Sequence, residues 1–490
     1  MIAAASIWEI RTSANAGNVG GGFFKAGASG SDFSQQDAPQ YALTGVTSSG
    51  AGNVILTASA AADMVGNGIK VISGTNFTVS WFEITSVVVG VSITCSTNAA
   101  GASISIGVGA TGVMNVGGAI SLGTSGASGD DDVFEASAVG NTFYVKSGSY
   151  TLGEAVSISL TASGANPSKV YGYQTTRGDN PTGANRPIFI CGANAFTSAA
   201  GWYWKNLRFS GTASNGLSIA NGEILAVNVK STNTSTTASR SAISGPGGDS
   251  MAFNCEAISY RGSGFGGSGR YSIVGCYIHD CNMGIQDTGV VMAIIDFNII
   301  ESCVTAAIRF SGVKVNLAMV KNNTLYGSEN TTGIGIDITS AGAVNFRVLN
   351  NIIYGFATGV SHIDANTEGF DDYNDYFNND NDVNAAANWQ KGSNDAAIDP
   401  AFASVTQLTG TTATTSGSVL TQSGGDFSSV VDGRDFLYLV SGTGITAGIY
   451  GITAHTATTI TLDIAPGTDA TADKVWQITI GRNFAITGAI

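Results

Sequence analysis

Apolar and polar positions repeat as a phrase through the middle of the chain. Ile273-Val-Gly-Cys-Tyr-Ile278, Ile295-Asp-Phe-Asn-Ile-Ile300, Val320-Lys-Asn-Asn-Thr-Leu325 and Val348-Leu-Asn-Asn-Ile-Ile353 each open and close on an aliphatic residue. Position four holds Cys276, Asn298, Asn323 and Asn351. About eleven residues after each opening comes a small residue and then an apolar one: Gly284-Ile285, Ala306-Ala307, Gly359-Val360, and, two places late, Gly333-Ile334. A period of about 20 to 29 residues marks a solenoid.

Each copy has short β-rich runs between Gly, Asn and Ser, which are turn residues. None holds a helical pattern of ten or more residues. One coil cannot bury its own apolar face, but stacked coils share a core, with like residues about 4.8 Å apart. An Asn at a turn bonds backbone groups and its neighbours above and below, and tolerates left-handed angles. The pattern predicts an all-β, right-handed parallel β-helix of about ten coils over 136–404, roughly 45–50 Å long. A β-sandwich is the alternative, and it would not need Asn in register. Cys281 and Cys303 each lie eight residues past a coil opening. They should stack on adjacent coils, within disulfide reach but reduced.

The flanks read differently. Residues 1–42 form an opening segment, loop-like at Gly17-Asn-Val-Gly-Gly-Gly-Phe-Phe24. Residues 43–135 hold an N-terminal β module (core 43–110) and a Gly/Ser/Asp-rich linker, and 405–490 a C-terminal β module. Phrases match in order between the modules: Leu43-Thr-Gly45 with Leu408-Thr-Gly410, Val71-Ile-Ser-Gly-Thr75 with Leu439-Val-Ser-Gly-Thr443, Phe82-Glu-Ile-Thr85 with Tyr450-Gly-Ile-Thr453, Ser92-Ile-Thr94 with Thr459-Ile-Thr461, and Ile104-Ser-Ile-Gly107 with Ile478-Thr-Ile-Gly481. The expectation is two similar small antiparallel β domains flanking the helix. They would cover its open strand ends or contact neighbouring molecules.

Composition narrows the classes. Gly at 66 of 490 and only 11% charged residues mean a surface of Ser, Thr, Asn and Gly. A net charge of −14 without a Lys/Arg run argues against a nucleic-acid partner. No run of 18 apolar residues suggests a membrane span, and Met1 to Trp8 is too short for a secretory signal. Six cysteines without a Cys-Xaa-Xaa-Cys pair, and three histidines, do not suggest zinc. The expectation is no metal and no cofactor.

Two stretches carry candidate chemistry. The spacing in Asp371-Asp-Tyr-Asn-Asp-Tyr-Phe-Asn-Asn-Asp-Asn-Asp382 is not that of an EF-hand loop, yet oxygens this dense around Asp371, Asp372 and Asp375 could hold Ca²⁺. The same three are the weak catalytic candidates, since paired carboxylates hydrolyse glycosidic bonds. Asp296 and Asp337 lie further up the solenoid, and Arg309, Lys314 and Arg347 lack a matching carboxylate phrase. A last coil with an Asn/Asp turn ladder is the structural reading of the patch. Trp202-Tyr-Trp204 could stack on sugar rings, with both tryptophans on one side of a strand; covering the first coils is their structural reading. The sequence leans against catalysis.

Asn-Asn-Xaa-Ile/Leu-Tyr-Gly at 322–327 and 350–355 resembles the repeat of pectate-lyase-like β-helix proteins. Asn141 to Thr151 resembles that family's first coil, and Asp372-Tyr-Asn-Asp-Tyr-Phe377 with Asp399-Pro-Ala-Phe402 its exit. Trp8-Glu-Ile-Arg11 and Gly30-Ser-Asp-Phe-Ser-Gln-Gln-Asp-Ala-Pro39 resemble the openings of β-helix proteins found in phage genomes. The resemblance implies a virion protein, made in the host cytoplasm and displayed on the particle surface. Its implied partners are other virion proteins, further copies of the chain (trimers included) and a host surface glycan. The rival implications are a tail-spike depolymerase or lyase and a bacterial surface adhesin.

Overall fold

The structure is a computed structural model. It describes residues 5, 7–10, 41–43, 46–48, 53–65, 68–71, 80–96, 114–116, 134, 138–152, 155–158, 160–162, 165–212, 215–219, 223–235, 240–245, 249–312, 317–339, 345–363 and 368–486. They are β throughout apart from two 3₁₀ turns, Ala62–Met64 and Gly183–Asn185. The chain divides into two compact units, residues 1–230 and 231–490. Both contain coils of a parallel β-helix, about nine turns in all against the ten expected.

In the first unit each coil has three short strands. Thr142–Lys146, Ser168–Tyr173, Trp202–Lys205 and Ile224–Val227 pair in parallel to make one sheet. Ser149–Thr151, Ile188–Gly192 and Arg208–Gly211 make a second, and Val156–Ser157, Phe196–Ser198 and Leu217–Ile219 a third. Alternation sends Phe143, Val145, Val170, Trp202 and Trp204 inward, all fully buried. Phe134 sits among these rings, with centroids 5.2 Å from Phe143 and 5.8 Å from both Phe196 and Trp204. The strand Ile7–Ile10 pairs in parallel with Thr142–Lys146, so part of the opening segment extends the first coil.

The same unit holds a seven-stranded antiparallel sheet. Its order is Tyr41–Leu43, Met114–Val116, Gly68–Val71, Ser80–Val88, Ser92–Cys95, Val54–Leu56, Thr47–Ser48. Ile55, Met64, Ile69, Ile84 and Ile93 form its core.

In the second unit the repeated phrase builds coils filled with aliphatic rows. Ile273, Ile295, Val320 and Val348 stack in one row, and Ile278, Ile300, Leu325 and Ile353 in another. Between these rows each chain turns through a left-handed residue: Gly275, Phe297, Asn322, Asn350 and Tyr373 all have φ between 54° and 64°. The next residue points inward and carries the polar ladder. The Cys276 N–H donates to Asn298 Oδ1 (2.8 Å), Asn298 to Asn323 (2.9 Å), Asn323 to Asn351 (3.0 Å), Asn351 to Asn374 (3.0 Å) and Asn374 to Asp395 (2.9 Å). Each ladder Asn also donates from Nδ2 to a backbone carbonyl one coil back, such as Ile295 for Asn323 (3.0 Å). The expected Asn stack is present, and it divides the two roles read into one Asn. The left-handed turn belongs to position three and the ladder to position four. Cys281 faces Cys303 in register, and all six cysteines are free and buried.

The chain ends in a closed six-stranded antiparallel barrel, ordered Phe402–Ser416, Val419–Thr421, Thr459–Leu462, Gly448–His455, Phe436–Ser441, Asp469–Ile486. This corrects the expectation of two similar flanking domains: one is an open sheet and the other a closed barrel. What the matched phrases share is local. Ser80–Val88 folds back on Gly68–Val71 as Gly448–His455 does on Phe436–Ser441, and each then pairs onward with the strand that follows it. Closure differs because the fifteen-residue Phe402–Ser416 reaches both Val419–Thr421 and Asp469–Ile486. In the open sheet the outermost strands, Tyr41–Leu43 and Thr47–Ser48, are separate and short.

Candidate functional site

In the second unit, His279, Glu301, Tyr326, Tyr354 and Phe377 lie in register on the outward face of one sheet. The barrel packs along this flank of the coils, not over a coil end. Phe436 meets Tyr260 (5.5 Å) and His279 (6.1 Å), Phe402 and Phe484 meet Tyr326 (5.8 and 5.3 Å), and Arg261 donates to the Tyr450 hydroxyl (2.9 Å).

Beneath the barrel lies a group that sequence reading missed. His279, Asp280 and Glu301 are 4%, 2% and 0% exposed, with ligand-bearing atoms all within 4.8 Å of one another. His279 Nδ1 is 2.6 Å from Asp280 Oδ2, and Nε2 is 3.3 Å from Glu256 Oε1. Glu301 accepts from the Tyr277 hydroxyl (2.7 Å) and the Ser302 hydroxyl (2.5 Å). Ser302 Oγ lies 3.2 Å from Thr479 Oγ1 of the barrel. Asp280 and Ser302 turn the chain at φ 52° and 53°, so His279-Asp280-Cys281 and Glu301-Ser302-Cys303 are stacked turns. The signal was present: His279 and Glu301 each fall six residues after a coil opening.

An imidazole between carboxylates can share a proton or take part in holding a divalent cation. Here both ring nitrogens face carboxylates. A cleft beside the group, with about 20 Å³ of room, is bounded by Asp280, Ser302, Phe436, Tyr438 and Thr479 and fits about one water. The geometry therefore suits a proton-bearing hydrogen-bond cluster at a packed interface better than a substrate cleft.

The acid patch is placed residue by residue. Asp371 continues the aliphatic row beyond Val348, points inward and is fully buried. Burial, and then repulsion from Asp395, push its carboxyl up to about 6, against the hydrogen bonds from Trp389 Nε1 (2.8 Å) and the Tyr376 hydroxyl (3.0 Å). Asp372 accepts from the Asn394 N–H (2.9 Å) and Nδ2 (3.0 Å) and caps a turn. Asp375 accepts from the Ile398 N–H (2.8 Å), and burial raises its carboxyl. The three carboxyls have three different sets of partners, on inward, turn and sheet-face positions. Asn374 between them is a ladder rung, as the structural reading of this coil implies.

Trp202 and Trp204 lie on one side of their strand, and that side is the interior. Trp202 Nε1 donates to the Leu160 carbonyl (3.0 Å) and Trp204 Nε1 to Ser198 Oγ (3.0 Å). Fully buried rings present no face to a sugar; they fill the first coils. Asp296 pairs with Lys321 (3.2 Å), and Arg309 lies 3.3 Å from Asp337.

No protein-family model and no curated protein matches the sequence. Solved β-helical structures do. Pectate lyase Pel9A is similar over 55% of this chain and 76% of its own, at 17% identity and a TM-score of 0.40. The tailspike protein gp49 from Pseudomonas phage LKA1 is similar over 97% and 87%, at 11% identity and 0.22. The gp54 tailspike of Acinetobacter baumannii bacteriophage AP22, solved with A. baumannii capsular saccharide, is similar over 97% and 89%, at 9% identity and 0.16. The chain is a parallel β-helix that resembles pectate lyase and phage tailspike structures, a likeness of fold that says nothing of its activity.

Proposed function

We propose that this chain is a non-enzymatic structural protein on the surface of a bacteriophage particle, a head decoration, fibre or spike, that works by assembly and surface contact. The observation that carries the reading is where the coils place their acids. His279, Asp280 and Glu301 form a hydrogen-bonded group under the barrel, and Asp371, Asp372 and Asp375 are tied into the last coil. These groups hold parts of the protein together. Stacked Asn rungs and a surface poor in charge suit a rigid scaffold, since each rung fixes its neighbours' spacing. The place on a virion rests on the resemblance of the opening and the repeat to phage β-helix proteins. Further copies of the chain and other virion proteins are its partners in this reading.

The test incubates the purified chain with capsular and cell-wall polysaccharides, with and without Ca²⁺. No new reducing ends and no unsaturated sugars are expected. Release that disappears in Asp371→Asn and Asp372→Asn variants would replace this reading with a depolymerase.

A further inference from the structure

We propose that the outward face of the first coils binds an acidic polysaccharide through a lattice of tyrosines and lysines. The strand that buries Trp202 and Trp204 turns Tyr203 and Lys205 outward. On the preceding coil Lys169 and Tyr171 point the same way, and on the one before that Tyr144 and Lys146. Register aligns them: Lys169 lies beside Tyr203, and Tyr171 lies between Tyr144 and Lys205. Neighbouring side chains are thus spaced about 4.8 Å between coils and about 6.7 Å along a strand. All six are partly exposed.

The groups are close enough to act together. The Tyr144 and Tyr171 rings are 5.9 Å apart, and the Arg177 guanidinium sits 4.8 Å above the Tyr144 ring. The Tyr171 hydroxyl is raised by its partial burial and then by Tyr144 and Tyr203 beside it. The ammonium groups of Lys146, Lys169 and Lys205 have no ion pair or hydrogen bond among the described residues. Residues 138–230 hold seven Lys and Arg against three Asp and Glu, a net of +4 within a chain of net −14. No basic run shows in the sequence because the cations are a coil apart; folding gathers them.

Tyrosine offers an apolar ring for a sugar face and a hydroxyl for its edge, while the lysines answer its carboxylates or phosphates. The rings stand on a rigid platform, because the residues on either side of Tyr203 are locked in the core. A nucleic acid is the poorer fit. It brings one charge per nucleotide against a chain of strongly negative total charge, and its affinity comes mainly from phosphate neutralisation. A polysaccharide with sparser charge meets the local patch with less long-range repulsion.

The experiment measures binding of the full chain to hyaluronate and unsulfated chondroitin, which carry a carboxylate on alternate sugars, to uncharged dextran and to an oligo(dT) strand, at low and physiological salt. Both acidic glycans are expected to bind, more weakly as salt rises, with dextran and oligo(dT) far weaker. Lys169→Ala with Lys205→Ala, and Tyr171→Ala with Tyr203→Ala, should each weaken binding by about tenfold or more. Thermal melts should leave these surface variants folded, and Lys169→Arg with Lys205→Arg should retain binding. Absence of binding, equal binding of dextran, preference for oligo(dT), or folded variants that bind as well as the parent would each overturn the site. The proposal deepens the surface-contact reading but fails separately from it. Glycan that is bound and shortened refutes the non-enzymatic reading and keeps this site, whereas glycan that is left unbound refutes this site alone.

Discussion

The coils of residues 138–230 and those of 249–400 both stack parallel strands coil on coil, and they fill their interiors by different means. The first set is packed with rings: Phe143, Phe189, Phe196, Trp202, Trp204 and Phe209 are at most 1% exposed. At its left-handed turns stand Asn206 and Asn228, joined by an Asn228 Nδ2 to Asn206 Oδ1 bond of 2.8 Å, and each is followed by an apolar residue, Leu207 or Val229. The second set is packed with aliphatic rows, and its turns send a second Asn inward. Aromatic packing is bulky and directional, so each ring fits one place. The ladder is a repeated bond, so each coil can be a copy of the last. This explains why the second set repeats visibly and the first does not.

The largest effect should come from the rings. Trp204→Ala removes a fully buried indole and should destabilise the first unit by about 4 kcal/mol. Chemical denaturation read through exposure of Cys191 checks it. If the loss is below about 1 kcal/mol, the first coils are not held by ring packing.

The ladder comes next. Asn323→Gly takes the acceptor from the Asn298 N–H and the donor from the Ile295 carbonyl. Leaving these buried groups unmatched should cost about 3 kcal/mol. Asn322→Gly, one residue earlier at φ 55°, should cost under about 1 kcal/mol, since glycine suits that turn. Denaturation curves of the two variants decide whether position four or position three carries the stability. Equal losses would dissolve the division drawn between them.

A smaller effect is set by pH. Burial pushes the Asp287 carboxyl up to about 6, despite hydrogen bonds from the Tyr271 hydroxyl (2.7 Å) and the Gly289 N–H (2.8 Å). The unfolded chain releases that proton near the ordinary 3.8, so this stabilising contribution is complete below about pH 4 and is lost as pH rises through 6. Stability of the second unit should therefore rise as pH falls from 7 to 5, and Asp287→Asn should flatten part of that slope. Denaturation midpoints across the range measure it, and an unchanged slope would show that Asp287 titrates alike in both states.

The smallest effect is on chemistry without a change in stability. Burial pushes the Cys191 thiol up to about 12 and raises Cys276, Cys281 and Cys303 as well. Native protein at pH 8 should resist alkylation at all four, and denatured protein should yield six free thiols. Labelling at low denaturant then shows which set of coils opens first. Fast native labelling at Cys281 or Cys303 would mean that the stacked turns under the barrel are open.

How much was legible follows from spacing. The phrase at 273, 295, 320 and 348 repeats because identical coils need identical residues, so the sequence alone determined the parallel β-helix, the Asn stack and the facing of Cys281 with Cys303. Cys255 and Asn374 extend the same position beyond the visible repeat. In the first coils Phe, Trp, Val and Ile take turns at inward positions, so no phrase recurs. Tertiary structure decided the rest. Whether Phe402–Ser416 closes a barrel depends on reaching both edges, which matched hairpin phrases do not encode. Which acids meet depends on coil length. His279 and Glu301 are 22 residues apart in sequence and adjacent in register, whereas Asp371 and Asp372 are neighbours in sequence and part to opposite sides of a strand. The lysines at 146, 169 and 205 form one face for the same reason. A local pattern fixes which way a side chain points, but only the winding of the coils fixes what it meets there.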